Sequence, residues 1–214
     1  MIALSALLAR DHVVPPQKLD EAIQRQVING GDFATNLLEV GAIAEDTLVG
    51  YCAAVHESEP IGRDEIIAAN ERAIGKLTRE MAQAQQVLPV RMQGETLVVA
   101  AAAPLSAETR EALERASGGP VEVRITTPFR LSWGLWRFYG TELSPRLQRL
   151  ADRLTARPSG QIRAVSSAPG VTSKPASVRP GPRPRLRPSV LAALTAALTE
   201  ERDSYAGDAP LESF

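Results

Sequence analysis

Two stretches near the start of the chain decide how the rest is read: Ala3–Gln26, ALSALLARDHVVPPQKLDEAIQRQ, and Asp32–Val55, DFATNLLEVGAIAEDTLVGYCAAV. Laid over each other at an offset of 29 residues, Leu4 falls on Phe33, Leu8 on Leu37, Leu19 on Leu48 and Ala22 on Tyr51. Val13-Val14 falls on Ala42-Ile43, and Leu7-Leu8 falls on Leu37-Leu38 with a drift of one residue. A fixed-period match of apolar positions is the mark of a duplicated unit. Each copy reads as a short helix, a tight corner at His12 or Gly41, and a longer helix. Glycine suits the left-handed residue that ends a helix, whereas His12 must take the same conformation with a Cβ. The second helices are expected to start at Pro16, whose missing N–H costs nothing in a first turn, and at Glu45-Asp46, whose charge suits a helix N-terminus.

A further helix is expected over Asp64 to about Gln86, carrying Ile66, Ile67, Ile74, Leu77 and Met81. The period then changes. Val87–Val90 and Thr96–Ala100 read as two strands about a turn at Gln93-Gly94. Ser106 caps a helix over 107–116, Gly118-Gly119 ends it, and the alternation of Val121, Val123 and Ile125 predicts a half-buried strand. Thr127-Pro128 opens a helix through Leu131, Leu135 and Phe138. The fold class is therefore α+β: a helical repeat subdomain over 1–86, then a small α+β subdomain with closing helices over 87–153.

Beyond it the composition shifts. Residues 154–188 read as a disordered Pro/Arg-rich linker, with seven basic residues from Arg157 to Arg187 and no acid from Ala156 to Pro188. Such a stretch buries too little apolar area to offset its ordering entropy. Within 189–214 a short amphipathic helix is expected at Ser189–Arg202. Its stripe of Val190, Leu191, Leu194 and Leu198 offers Leu191, Leu194 and Leu198 as partner-binding candidates.

Composition narrows the function. The chain has 214 residues and a formal net charge of −1, which argues against nucleic-acid binding through bulk charge. One cysteine, Cys52, and two histidines, His12 and His56, exclude a disulfide framework and leave no metal-ligand set. His12 reads as an exposed corner residue, His56 as a loop residue before Pro60, and Cys52 as a buried inert thiol. The aromatic run Trp133, Trp136, Phe138 and Tyr139 reads first as the capping helix of a small core. No apolar run nears the roughly 20 residues of a membrane span, and a lone free cysteine makes the cytoplasm the expected compartment. No Gly-x-x-x-x-Gly-Lys-Ser/Thr loop and no nucleophile–base set is present, so no catalytic residue is assigned.

The order of these features resembles the N-terminal, MshE-type domain of type II secretion and type IV pilus assembly ATPases. The likeness runs from about Ile2 to Gly140 through the duplicated helices, Val87-Leu88-Pro89-Val90, the alanine run to Pro104, and Trp136-Arg137-Phe138-Tyr139-Gly140. It implies a non-catalytic regulatory or adaptor module that contacts a protein component of a secretion or pilus machine, with peripheral membrane contact only through such a partner. It also implies cyclic di-GMP as an alternative ligand, with no other cofactor. By resemblance the ligand positions are Leu4, Leu7, Leu8, Val13, Val14 and Gln26 in the first copy, and Phe33, Leu37, Leu38, Gly41 and Ile43 in the second. The family's leading arginines are replaced by Ala3 and Asp32, its glycines by Ser5 and Ala34, and its second glutamine by Val55. Each lost charge-assisted bond costs on the order of 1.5–3 kcal/mol, so the expectation is weak or absent binding. An enzyme of unknown type is the third, least supported reading.

Overall fold

The computed structural model describes residues 3–155. The expected linker beyond Thr155, and the helix with Leu191, Leu194 and Leu198, lie outside the described residues. The chain opens short–long–short–long: α1 (Leu4–Arg10), α2 (Pro16–Asn29), α3 (Phe33–Glu39) and α4 (Glu45–Val55). The two corners are the same structure. The Val13 N–H donates to the Leu8 carbonyl and the His12 N–H to Ala9; 29 residues on, Ala42 donates to Leu37 and Gly41 to Leu38. His12 and Gly41 both sit left-handed, at φ 53° and 63°. These are Schellman-type helix ends, in which a six-residue back-bond satisfies carbonyls the helix leaves unpaired. Helix α1 packs on α4 and α2 on α3, so exchanging the copies maps one contact onto the other. The repeat is thus a pseudo-twofold pair.

The single helix expected over 64–86 is instead three short ones: α5 (Arg63–Ile67), α6 (Glu71–Ile74) and α7 (Arg79–Ala84). Side chains that compete for backbone N–H groups interrupt it. Asn70 Oδ1 accepts from the Arg72 N–H at 2.8 Å, and Thr78 Oγ1 accepts from Met81 at 3.3 Å. The Asn70 N–H itself donates to the Val90 carbonyl at 2.8 Å, so the break is also a sheet contact.

Strands β1 (Val87–Gln93) and β2 (Thr96–Ala101) form an antiparallel pair, with a register shift between Pro89 and Arg91. That irregularity leaves Val90 free of the ladder to take the Asn70 bond. Helix α8 (Ala107–Ser117), capped by Ser106 and ended by left-handed Gly118, carries the chain over to β3 (Val121–Ile125), parallel to β2. The sheet order is β1-β2-β3. Helices α9 (Pro128–Tyr139) and α10 (Pro145–Thr155) follow, the latter running into the start of the expected linker at 154.

Packing does not follow the seam expected at residue 86. Ile61, Ile66 and Ala82 are buried with Leu88, Val98, Leu131 and Leu135, while Leu150 and Ala151 of α10 are buried with the repeats. A change of period marks a change of secondary structure, and the core runs across it. Gly134 of α9 shows how closely the helix lies on the sheet: a Cβ there would collide with the Leu88 side chain and meet Ile66 at 3.4 Å.

Candidate functional site

The duplicated helices place the eleven ligand positions implied by resemblance in and around one apolar cluster. Leu7, Leu8, Val14, Leu37 and Leu38 are buried; Leu4, Val13, Phe33, Ile43 and Gln26 are half-buried; Gly41 is exposed at the corner. The repeat equivalents Leu4 and Phe33, both half-buried, pack against the cluster from outside, as do half-buried Val13 and Ile43. Asp32 has a local task. Its Oδ1 accepts from the Thr35 N–H at 2.7 Å and its Oδ2 from the Thr35 hydroxyl at 2.6 Å, capping α3. Its counterpart Ala3 stands at the same N-cap of α1 with no side chain to do so. Cys52, as expected, is buried, and burial together with the Asp32 charge pushes its thiol up to about 12, so it stays neutral. His12 and His56 lie at helix ends. Among the described residues no three His, Cys, Asp or Glu side chains gather to hold a metal ion.

Two charged constellations were not legible from spacing. In the first, Glu45 at the start of α4 and Arg130 in the first turn of α9 form a bidentate pair, with both bonds at 2.5 Å. Only 6% and 4% of these side chains is exposed. The Arg130 guanidinium also lies 5.1 Å from the Phe129 ring centroid and 5.0 Å from that of Trp133. The pair joins the second repeat copy to the helix that covers the sheet. The same junction is made in backbone: Ile61 donates to the Ile125 carbonyl and Ile125 to that of Glu59, both at 2.9 Å.

The second constellation centres on Arg146 of α10. It holds Glu39 bidentately at 2.6 and 2.9 Å, bonds Asn36 Oδ1 at 2.7 Å, and donates to the carbonyls of Asn29 and Gly30 at 3.0 Å each. Arg153 donates to the Glu39 carbonyl at 3.0 Å. Arginines at the C-terminal ends of α2 and α3 satisfy the carbonyls left unpaired there and complement the negative helix poles. The aromatic run divides its work. Trp133 packs between clusters, Trp136 is 39% exposed, and the Tyr139 hydroxyl donates to the Ile74 carbonyl at 2.8 Å, pinning the broken helix segment.

Residues 60–145 match the model of the MshEN domain family. The type IV pilus assembly ATPase PilB of Myxococcus xanthus (strain DK1622) is 26% identical over 145 residues, covering 68% of this chain and 25% of that protein. The chain therefore spans about a quarter of the length of that relative. Among solved structures, MshE with cdg is 23% identical with a TM-score of 0.46, covering 65% of this chain and 100% of that one. The N-terminal domain of XpsE is 18% identical with a TM-score of 0.42, covering 64% and 94%. Among the described residues no helix is long and apolar enough to cross a membrane. Over residues 60–145 the chain is thus similar to the MshEN domain, and over 145 residues to a type IV pilus assembly ATPase.

Proposed function

We propose that the chain is a non-catalytic regulatory or adaptor module of a type II secretion or type IV pilus machine, working in the cytoplasm through protein–protein contacts. The observation that carries this reading is the MshEN match over 60–145, a domain that is itself a non-catalytic part of the ATPases in which it occurs. The architecture fits such a role: a duplicated helical pair is tied to the sheet-covering helix by the buried Glu45–Arg130 pair. The test is reconstitution. The purified full chain, mixed with the purified motor ATPase of the same machine, should co-elute with it and change its ATP hydrolysis rate. A chain that neither co-elutes with any machine component nor alters that rate is not an adaptor.

A cyclic di-GMP-sensing role is the second reading. It is supported by the half-buried apolar side chains Leu4, Val13, Phe33 and Ile43 around the cluster, of which Leu4 and Phe33 are equivalent under the repeat, and which suit packing on guanine rings. Against it stand Ala3 and Asp32 at the two N-caps, where a phosphodiester meets no cation and one carboxylate. Calorimetry decides: a low-micromolar or tighter dissociation constant restores the sensing role, and heat no larger than dilution removes it.

A further inference from the structure

Where α10 lies along the ends of α2 and α3, the surface holds two adjoining clefts that share Glu39 and Arg153. One, of about 760 Å³, is walled by Arg25, Arg146, Arg149 and Arg153, with Asp152 as the further acid beside Glu39. The other, of about 370 Å³, is apolar, walled by Leu38, Val40, Leu150 and Leu154. Arg146, Arg149 and Arg153 fall at i, i+3 and i+7, one stripe of α10, and Arg25 faces them from α2. The arginines are not equally committed. Arg146 is consumed by Glu39, Asn36 and two carbonyls, and Arg153 spends one nitrogen on the Glu39 carbonyl. Arg149 makes no hydrogen bond or ion pair among the described residues, and Arg25 reaches Glu39 only at 3.8 Å. Since Glu39 is 8% exposed and already held by Arg146, the outward face of the cleft is cationic.

From this juxtaposition we infer that the α10 groove is a docking site for an acidic amphipathic segment of a partner protein. Its carboxylates pair with Arg25, Arg149 and Arg153, and its apolar side chains enter the Leu38–Val40–Leu154 cleft. Charge complementarity selects an acidic occupant. The apolar half selects a peptide over a free anion or nucleotide, which would leave that cleft empty. Arg's planar fork takes carboxylates bidentately, and among the described residues Arg149 and Arg25 have their donors free to do so. The inference deepens the adaptor reading and rests on it, since it names the chemistry of the segment such a partner would present.

The probe is a fluorescein-labelled peptide of about four helical turns, with Glu and Leu on adjoining stripes, titrated against the full chain by anisotropy. Two companions replace Leu by Ser or Glu by Gln. The Glu/Leu peptide should bind saturably, and each companion should lose about tenfold or more. Arg149→Glu and Arg25→Glu, both at sites outside the core, should each weaken it by about tenfold with unchanged circular dichroism. No saturable binding, or binding indifferent to both arginine variants, overturns the inference. Equal binding of the Ser companion, or full displacement by millimolar pyrophosphate, also overturns it and makes the cleft a general anion site. If the peptide fails while the ATPase still co-elutes with the chain, the groove is wrong and the adaptor reading stands.

Discussion

Removing one half of the buried Glu45–Arg130 pair should cost as much as truncating a large buried apolar side chain at the same junction. Both side chains are all but fully buried, and the pair is bidentate. Breaking such a pair leaves an uncompensated charge and costs roughly 3–5 kcal/mol. The two halves are not equivalent. Glu45 sits in the first turn of α4, where the unpaired N–H groups favour an anion; Arg130 sits in the first turn of α9, where they oppose a cation. A carboxylate left alone is therefore better tolerated than a guanidinium left alone, by about 1 kcal/mol. We predict that Glu45→Gln costs about 3–5 kcal/mol and Arg130→Met about 1 kcal/mol less. The double variant should cost less than the sum of the two, because it buries no orphan charge. Urea unfolding followed by far-UV circular dichroism measures all three. Additive single effects, or an Arg130→Met loss exceeding that of Glu45→Gln, would refute the argument from helix poles and burial.

Asp32→Ala should cost about 1 kcal/mol by removing the α3 cap, while Asp32→Asn, which keeps an acceptor, costs a few tenths; thermal melts separate them. If cyclic di-GMP binding is weak and not absent, calorimetry should show Asp32→Asn tightening it with the fold intact, whereas Asp32→Arg trades the cap for the charge. His12→Gly should stabilise by roughly 0.5–1 kcal/mol, since φ 53° strains a Cβ-bearing residue, and Gly41→Ala should destabilise by a similar amount in the same melts. On the alkaline side, burial holds the Cys52 thiol and the Tyr139 phenol at about 12 in the folded chain. The unfolded chain ionises them from about pH 9 to 10, so it then binds fewer protons than the folded one, and stability falls as pH rises toward 12. A urea midpoint that does not move between pH 8 and about 10.5 would contradict that sign.

Local rules carried the reading a long way where they acted alone. Pro16, Glu45, Ser106 and Thr127-Pro128 each open a helix where the capping chemistry places it, and Gly118 closes one. The left-handed conformation at His12 follows from Gly41 through the repeat alone. What failed was the helix over 64–86, whose apolar spacing is helical on either side of breaks set by Asn70 and Thr78. Those residues were visible, but the bond from Asn70 to Val90 depends on a bulge in a strand twenty residues away. The Glu45–Arg130 and Arg146–Glu39 pairs span 85 and 107 residues, and no period in a sequence encodes a partner at that distance. Gly134 gave no sign either, because its need is set by the facing Leu88.

The two copies of the repeat have divided the labour that duplication made redundant. In α3 five of seven residues are buried, against two of seven in α1; α4 buries five of eleven, α2 two of fourteen. The second copy is the one that touches the sheet side, α3 against α9 and α4 against β3. Its divergences serve that position. Asp32 supplies the cap that Ala3 lacks, Gly41 relaxes the corner that His12 strains, and Glu45 replaces Pro16 to reach Arg130. The first copy keeps weaker ends and an outer face, including exposed Val27 and Ile28 at the close of α2. A buried copy is held by its contacts on both sides, whereas an outer copy is held on one, so the outer copy is the freer of the two to change for a partner. That Arg25, a member of this outer copy, faces the arginine stripe of α10 puts the groove at the seam between the fixed and the free parts of the fold.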